Sequence, residues 1–229
     1  MAIIVDVIIP AYNEENSVQK VISDFPENLV RDIVVVNNNS NDATAANAIA
    51  AGATVIHENF QGYGAACLKG LEFIAAKKIK PDIIVFIDAD YSDHPEQITA
   101  LLKPILQDDY DMVIGSRALG KKDKGSMTIQ QQFGNILATA LIRLFYKTHY
   151  TDLGPFRAIK YASLVKLNMK DKTYGWTVEM QLKASKQKMK IIEVPVDYRK
   201  RIGFSKISGT VKGTVMAGYK IISTIFRYL

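Results

Sequence analysis

Short apolar runs rich in Val and Ile recur along the first half of the chain, separated by polar or helix-like stretches. The runs occupy residues 5–10, 32–36, 53–56, 83–87 and 112–115. Unbroken runs of this kind are typical of strands in a parallel sheet whose two faces are both covered by helices. The sequence therefore predicts an α/β fold built on a mostly parallel, Rossmann-like sheet.

Apolar residues spaced three or four apart predict the helices between and after these strands. The predicted helices span residues 16–25, 43–51, 65–77, 95–106, 134–146, 177–186 and 210–229. A further strand is predicted at 190–196, and another is expected after the loop TDLGPFRAIK that begins at Thr151. We interpret the 229 residues as one domain, with residues 1–117 binding a nucleotide and residues 118–229 forming an acceptor side.

Composition excludes several classes of protein. Cys67 is the single cysteine, which rules out a disulfide framework and a multi-cysteine zinc site. No stretch of about 18 apolar residues occurs, so no membrane-spanning helix is expected. The first ten residues lack a basic segment and contain Asp6, a pattern that argues against a signal peptide. We expect a cytoplasmic protein.

Charge is distributed very unevenly along the chain. Residues 1–114 carry a net charge of −10, whereas residues 115–229 carry +16. A concentrated positive field attracts phosphates or an anionic membrane surface, with nucleic acid as a third candidate. Nucleic-acid binding is disfavoured, because only Tyr198 and Phe204 interleave aromatic rings with the late basic cluster.

The sequence Asp88-Ala89-Asp90 follows the predicted strand 83–87 directly. Two carboxylates at a strand end can share one hard cation, which then keeps water and phosphate oxygens as its other ligands. The alternative is an ordinary solvated turn. Ligands of parallel sheets bind at the carboxyl ends of the strands, and this position favours a metal–diphosphate site.

Five motifs occur in a characteristic order: PAYNEE, VVVNNNSND, FIDAD, IGSR and GFSKIS. With them, essentially the whole chain resembles the inverting glycosyltransferases of family 2, which have the GT-A fold. The resemblance is strongest to the branch that glycosylates polyprenyl or dolichyl phosphate. It implies an enzyme that transfers a hexose from a nucleotide sugar, with Mg²⁺ or Mn²⁺ as cofactor.

The resemblance also implies roles for individual residues. Those matching nucleotide-binding positions are Pro10, Ala11, Tyr12, Glu14, Asn38, Asp42 and Asp88, and those matching metal ligands are Asp88 and Asp90. Phosphate or acceptor contacts are implied for Arg117 of the GSR motif, for Ser205 and Lys206 of the late loop, and for a preceding basic residue. Lys200 and Arg201 both fit that last position, and Arg201 is favoured.

Departures from the family pattern refine these expectations. Asn37 and Asn38 stand where relatives usually carry acids. An amide offers both a donor and an acceptor, which suits uracil, so a UDP-hexose is favoured over GDP-mannose as donor. After Asp90, the third metal contact is left open between Ser92 and Asp93.

The residues expected to act in catalysis are Asp90, Asp152, Glu179 and Arg117. No Asp follows Glu179, although relatives that glycosylate hydroxyl groups often have one there. A phosphate acceptor is already ionised near neutral pH and needs no strong base. Glu179 and Asp152 then either orient the acceptor or serve as plain ion-pair partners.

The predicted helices 134–146 and 210–229 have apolar stripes edged by basic residues. Core packing produces such stripes, and so does binding at a bilayer surface. The favoured function is hexose transfer to a polyprenyl phosphate by a protein peripheral to the inner face of the cytoplasmic membrane. The alternatives are transfer to a soluble acceptor and, from another class, a non-catalytic nucleotide- or nucleic-acid-binding module.

Overall fold

The structure, a computed structural model, describes residues 3–204 and 211–229. Its centre is a seven-stranded sheet in the order β3-β2-β1-β4-β6-β5-β7. The strands are β1 (Val5–Ala11), β2 (Asp32–Asn37), β3 (Thr54–His57), β4 (Ile83–Phe86), β5 (Met112–Ser116), β6 (Arg157–Lys160) and β7 (Ile191–Pro195). All neighbouring strands are parallel except that β6 runs antiparallel to β4 and β5. The predicted α/β fold with a mostly parallel sheet is confirmed.

Helices cover both faces of this sheet. They are α1 (Val18–Ser23), α2 (Thr44–Ala50), α3 (Tyr63–Ala76), α4 (Ile98–Asp108), α5 (Ile129–Tyr146), α6 (Tyr161–Leu167), α7 (Trp176–Lys186) and α8 (Val211–Arg227). One apolar core joins α1, α2 and α4 to the sheet, and the other joins α3 and α5–α8 to its opposite face. Successive side chains of β4 point to opposite faces of the sheet. Ile83 and Val85 pack in the core with α1, α2 and α4, whereas Ile84 and Phe86 pack in the core with α3 and α5–α8.

Two helices differ from the prediction. α5 begins at Ile129 rather than at residue 134, because Thr128 and Gln131 form a capping box that starts the helix there. α6 was not predicted, because it begins at Tyr161 directly after β6 ends at Lys160, with no loop between them to separate the two elements. The other boundaries agree with the prediction to within three residues, and a 3₁₀ turn at Pro95–Gln97 precedes α4.

The polar motifs meet at one edge of the sheet, beyond the carboxyl ends of β1, β2, β4 and β5. Asn13, Asn39 and Tyr91 adopt positive φ there, and each turns the chain sharply just past a strand. Non-glycine residues in this conformation often mark functional loops. The reversed strand β6 begins at the same edge and so brings residues 151–156 to it. Among the described residues, no helix has the length and apolarity needed to cross a membrane.

Candidate functional site

A cleft of about 370 Å³ opens at this edge of the sheet. Its walls combine the ends of β1, β2 and β4 with the start of α3 and a residue of the late basic segment. The lining residues are Pro10, Ala11, Tyr12, Glu14, Asn38, Gln61, Gly62, Tyr63, Asp88, Ala89, Asp90, Tyr174 and Arg201. Most of the residues predicted to bind the nucleotide and the metal therefore line one cavity, at the position where parallel sheets bind ligands.

Asp88 lines the cleft. Its Oδ1 is buried and has no hydrogen-bond partner among the described residues. Burial, followed by repulsion from Asp90, raises the pKa of Asp88 to about 7. A buried carboxylate oxygen without a donor is costly, and it is the kind of hard ligand that Mg²⁺ or Mn²⁺ takes.

The residues present fit such an ion only as part of a shared site. Within the described ranges, no three His, Cys, Asp or Glu side chains come together closely enough to hold a metal. Asp88 and Asp90 would thus supply the protein's ligands, and a diphosphate and water would supply the others. This arrangement is typical of metals that enter a site together with a nucleotide.

Asp90 is buried and both of its carboxylate oxygens are engaged. The backbone N and the hydroxyl of Ser92 donate to Oδ1 over 2.9 and 2.5 Å. Arg201 Nη1 lies 3.0 Å from Oδ2. The positive φ of Tyr91 turns the chain so that Ser92 can reach back to Asp90. Ser92 therefore positions a predicted metal ligand.

Glu14 faces Asp90 across the cleft through the same arginine. Arg201 Nη2 donates to Glu14 Oε1 over 2.8 Å, and the Ser17 hydroxyl donates to Oε2 over 3.1 Å. The backbone N of Glu14 donates to Thr44 Oγ1 over 2.8 Å, which fixes the loop after β1 to the start of α2. Arg201, predicted from the late motif, is thus part of the cleft and bridges two of its acids.

Asp42 supports the cleft from outside its lining. Its carboxylate accepts hydrogen bonds from the Thr44 side chain and backbone and from the backbone N of Glu15. Burial alone would raise the pKa of Asp42, but these hydrogen bonds outweigh it and hold the pKa below its ordinary value. The side chain ties the loop after β1 to the loop after β2, so its predicted contact with a nucleotide is indirect in this arrangement.

Asn38 lines the cleft, but its amide is occupied. Nδ2 donates to the carbonyl oxygens of Glu58 and Phe60 over 3.0 and 2.7 Å, and Oδ1 accepts from the backbone N of Gly62 over 2.8 Å. Both amide hydrogens are used to shape the loop before α3. The expectation that this amide reads uracil directly is not met by the geometry, because the donor it would need is already committed.

Arg117 and Asp152 form a buried ion pair beside the cleft. Arg117 Nε and Nη2 each donate over 2.7 Å to Asp152, and the Arg117 backbone N donates over 2.8 Å. The side chain of Asp152 is 1% exposed. Burial would raise the pKa of Asp152, but Arg117 holds it below its ordinary value. Asp152 therefore orients Arg117, and neither side chain is among those that line the cleft.

Glu179 is also fully enclosed and does not reach the cleft lining. Its carboxylate accepts from the backbone N of Lys170 and Asp171 and from the Tyr228 hydroxyl, and it pairs with Lys183 Nζ at 2.6 Å. These contacts tie the segment 170–175, which places Tyr174 at the cleft, to α7 and α8. The geometry matches the ion-pair alternative for Glu179 rather than a direct contact with substrate.

Asp93 and the late loop complete the predicted set. Asp93 is buried with both carboxylate oxygens lacking a partner among the described residues, and burial raises its pKa well above the ordinary value. It does not form a three-acid cluster with Asp88 and Asp90. Ser205 and Lys206 lie outside the described residues. Phe204, just before them, is 89% exposed.

Sequence reasoning missed several residues of the site. Gln61, Gly62, Tyr63 and Tyr174 line the cleft because α3 and the segment 170–175 pack together there. A Cβ on Gly62 would approach the carbonyl O of Lys172 to 2.1 Å, so only glycine permits this contact.

Arg157 is a different omission. Its guanidinium is fully buried and donates to carbonyl groups of Leu153, Gly154 and Thr177, which shape the turn after Asp152.

Comparison with known proteins identifies the family. The model of the family described as "Glycosyl transferase family 2" matches residues 6–167. The chain belongs to glycosyltransferase family 2 and is a transferase enzyme, as the motifs indicated.

Two curated relatives are similar over nearly their whole length. The UDP-N-acetylglucosamine–dolichyl-phosphate N-acetylglucosaminyltransferase of Methanococcus voltae is 29% identical over 239 residues, which cover 93% of this chain and 91% of that protein. The undecaprenyl-phosphate mannosyltransferase of Micrococcus luteus is 28% identical over 218 residues, covering 90% and 88%.

A solved structure shares the fold. Glucosyl-3-phosphoglycerate synthase of Mycobacterium tuberculosis, in complex with Mn²⁺, UDP-glucose and phosphoglyceric acid, matches with a TM-score of 0.78 and 20% identity. The match covers 99% of this chain and 80% of that chain. The predicted GT-A fold is confirmed.

Proposed function

We propose that this enzyme transfers a hexose from a nucleotide sugar, with UDP-sugars favoured, to a polyprenyl phosphate at a membrane surface. Two features of the structure support this proposal. Asp88 and Asp90 line a nucleotide-sized cleft, and two neighbouring helices present apolar side chains to solvent.

The donor assignment is supported by the cleft and by relatives. Pro10, Tyr12 and Glu14 line it together with Asp88 and Asp90. A base and ribose bound beside Pro10, Tyr12 and Glu14, with the diphosphate beside Asp88 and Asp90, would be consistent with this lining. The M. voltae relative is named for a UDP-sugar, and the M. tuberculosis structure contains UDP-glucose with Mn²⁺. With Asn38 committed to its loop, these similarities, rather than its amide, now support uridine.

In the proposed reaction an acceptor phosphate oxygen bonds to the anomeric carbon, and the bond from that carbon to the diphosphate breaks. A divalent ion held by Asp88 and Asp90 would supply positive charge for the departing diphosphate. Arg201 lines the same cleft and would donate hydrogen bonds to phosphate oxygens, a fixed electrostatic stabilisation of the developing charge. Asp152 fixes Arg117 beside the site, and the ionised acceptor needs no strong base.

The acceptor assignment is supported by what we name the apolar helix face. It consists of Ile129, Phe133, Ile136, Leu144 and Phe145 on α5 and Val215, Met216, Tyr219 and Phe226 on α8. Phe133 is 66% exposed and Tyr219 is 70% exposed. The ring centroids of Phe145 and Phe226 are 5.4 Å apart in an edge-to-face contact, so α5 and α8 are neighbours. Such a continuous apolar surface marks an interaction site.

The chemistry around this face indicates a lipid bilayer as its occupant. Arg143, Lys147 and Arg227 are exposed on or next to the same helices. Basic side chains beside an apolar helix face bind anionic lipid head groups while the apolar side chains enter the bilayer. An acceptor with a polyprenyl tail would be met at that surface, on the inner face of the cytoplasmic membrane.

The experiment that tests the function is a panel of UDP- and GDP-sugars incubated with and without a short-chain polyprenyl phosphate. We expect release of UDP that depends on the lipid phosphate and on Mg²⁺ or Mn²⁺. Phosphoglycerate serves as the soluble control acceptor. Release with phosphoglycerate and none with polyprenyl phosphate would replace the lipid acceptor by a soluble one. Release from GDP-mannose alone would overturn the uridine preference.

A further inference from the structure

Arg201 occupies an unusual position for a residue expected to bind phosphate. Its guanidinium contacts Glu14 Oε1 at 2.8 Å and Asp90 Oδ2 at 3.0 Å, so it spans two acids of the cleft. Its Nε is buried and has no hydrogen-bond partner among the described residues. Two of its nitrogens are thus held by carboxylates, while a third donor is left for another acceptor.

The contact with Asp90 concerns the oxygen that a metal would need. Ser92 already donates twice to Oδ1, which leaves Oδ2 as the oxygen that Arg201 contacts. A divalent ion bound at Oδ2 would meet the guanidinium at the same atom, and two positive charges there repel. Metal coordination by Asp90 and the ion pair with Arg201 therefore compete.

The backbone around Arg201 is fixed, so that only the side chain has to move. The backbone N of Ile202 donates to the carbonyl O of Asp90 over 2.9 Å, and the backbone N of Arg199 donates to that of Ser92 over 2.9 Å. These bonds hold the segment 199–202 against the turn that carries Asp90. A rotation of the Arg201 side chain would exchange Asp90 for a phosphate oxygen without unfolding the segment.

We propose that Arg201 is a positioning residue that makes metal binding depend on the diphosphate. It holds Asp90 in an ion pair against a metal ion that arrives alone, and it releases Asp90 when a diphosphate offers a second anionic partner. The metal and the nucleotide then enter as a pair, each increasing the affinity of the other, because such coupling is reciprocal. The inference rests on the proposed metal–diphosphate site and names how that site is filled.

The test measures the affinity for Mn²⁺ alone, from the paramagnetic resonance signal of the free ion, with and without UDP. Arg201→Gln removes the competing charge, so we expect Mn²⁺ alone to bind about tenfold more tightly, the effect of roughly one pKa unit of charge interaction. UDP in saturating Mn²⁺ should bind about tenfold more weakly, because one charge-assisted hydrogen-bond donor is lost. The two affinities therefore change in opposite directions.

The matched control is Lys200→Gln, which removes the same charge from the neighbouring, exposed residue. We expect it to change the affinity for Mn²⁺ alone by less than about twofold, since exposed charges are screened. If both variants bind Mn²⁺ alone more tightly by the same factor, the effect comes from the overall charge of the protein, and the specific role of Arg201 is overturned.

Two other results would overturn the inference in different ways. If Arg201→Gln weakens UDP but leaves Mn²⁺ alone unchanged, Arg201 is a phosphate ligand only and the proposed function stands. If Arg201→Gln weakens the binding of Mn²⁺ alone as well as the binding of UDP, Arg201 has a merely structural role. If the wild type binds neither Mn²⁺ nor UDP, the metal–diphosphate site itself fails, and the proposed function fails with it.

Discussion

Two carboxylates at the same edge of the sheet have opposite surroundings. Asp88, after β4, has a buried oxygen with no donor among the described residues, and burial raises its pKa to about 7. Asp152, before β6, accepts three hydrogen bonds from Arg117, and its pKa lies below the ordinary value. An unsatisfied buried acid is a place for a ligand, whereas a satisfied one is part of the scaffold.

The same contrast shows what net charge along the chain leaves out. Residues 115–229 carry a net charge of +16, yet three of their arginines are engaged by acids. Arg117 is held by Asp152, Arg199 contacts Asp24, and Arg201 bridges Glu14 and Asp90. Charge counted along a sequence does not show which cations are already paired.

The largest expected effect is on transfer. Asp88→Asn and Asp90→Asn each remove a predicted metal ligand, and we expect the rate of hexose transfer to fall by at least about a thousandfold, the upper range for losing one electrostatic stabiliser. Steady-state assays with UDP-sugar and polyprenyl phosphate measure this. Chelation of the wild type should have the same effect and Mn²⁺ should reverse it. Full activity in excess chelator would contradict the metal assignment.

The scaffold carboxylate should respond in stability instead. Asp152→Asn leaves the buried guanidinium of Arg117 without its counter-charge, and we expect a loss of about 3–5 kcal/mol in the free energy of unfolding. Urea denaturation measures it. A double variant, Asp152→Leu with Arg117→Met, removes both charges and should recover much of the loss. Equal stability of wild type and Asp152→Asn would show that the pair contributes nothing.

Asp88 should make the folding stability of the wild type depend on pH. Its pKa in the folded protein is raised to about 7, so the unfolded chain ionises first and folding stability is lost as pH rises towards 7. In chelator, Asp88→Asn removes this loss. The free energy of unfolding of Asp88→Asn minus that of the wild type should therefore increase by roughly 2–3 kcal/mol from pH 5 to pH 8. Thermal unfolding at both pH values measures the gap, and a constant gap would show that Asp88 is not perturbed.

The smallest effect concerns the apolar helix face. Phe133→Ser removes an exposed apolar ring, and we expect binding to anionic liposomes to weaken by about tenfold, the equivalent of a partly buried aromatic side chain. Co-sedimentation at low salt measures it, with transfer to a short, water-soluble acceptor as the control that should not change. If the wild type does not bind liposomes and instead dimerises through this face, the bilayer is the wrong occupant.

The fold could be predicted because it depends on local patterns. The strands β1 to β5 and β7 were predicted from apolar runs, and the first four of the five motifs follow or end these strands. The direction of β6 could not be read this way, because it is set by pairing with residues distant in sequence: Phe86 of β4 pairs with Arg157, and Ile114 of β5 pairs with the same residue.

The site was predicted as a set of residues but not as a set of contacts. Asp88, Asp90 and Glu14 line the cleft as the motifs indicated. The amide of Asn38 was expected to face a base, but it bonds to carbonyls of residues 58 and 60. Those hydrogen bonds depend on how a distant loop folds back, which no spacing in the sequence expresses.

The pairing of α5 with α8 has a consequence for how the enzyme would sit on a surface. A single amphipathic helix leaves an attached domain free to roll about the helix axis. Here the Tyr146 hydroxyl donates to the carbonyl O of Ile225 over 2.7 Å, and the rings of Phe145 and Phe226 touch beside it. Two joined helices resting on a bilayer would suppress that rolling and hold the cleft at one height and tilt. A tethered lipid phosphate would then find the donor by lateral diffusion in the plane, a search in two dimensions rather than three.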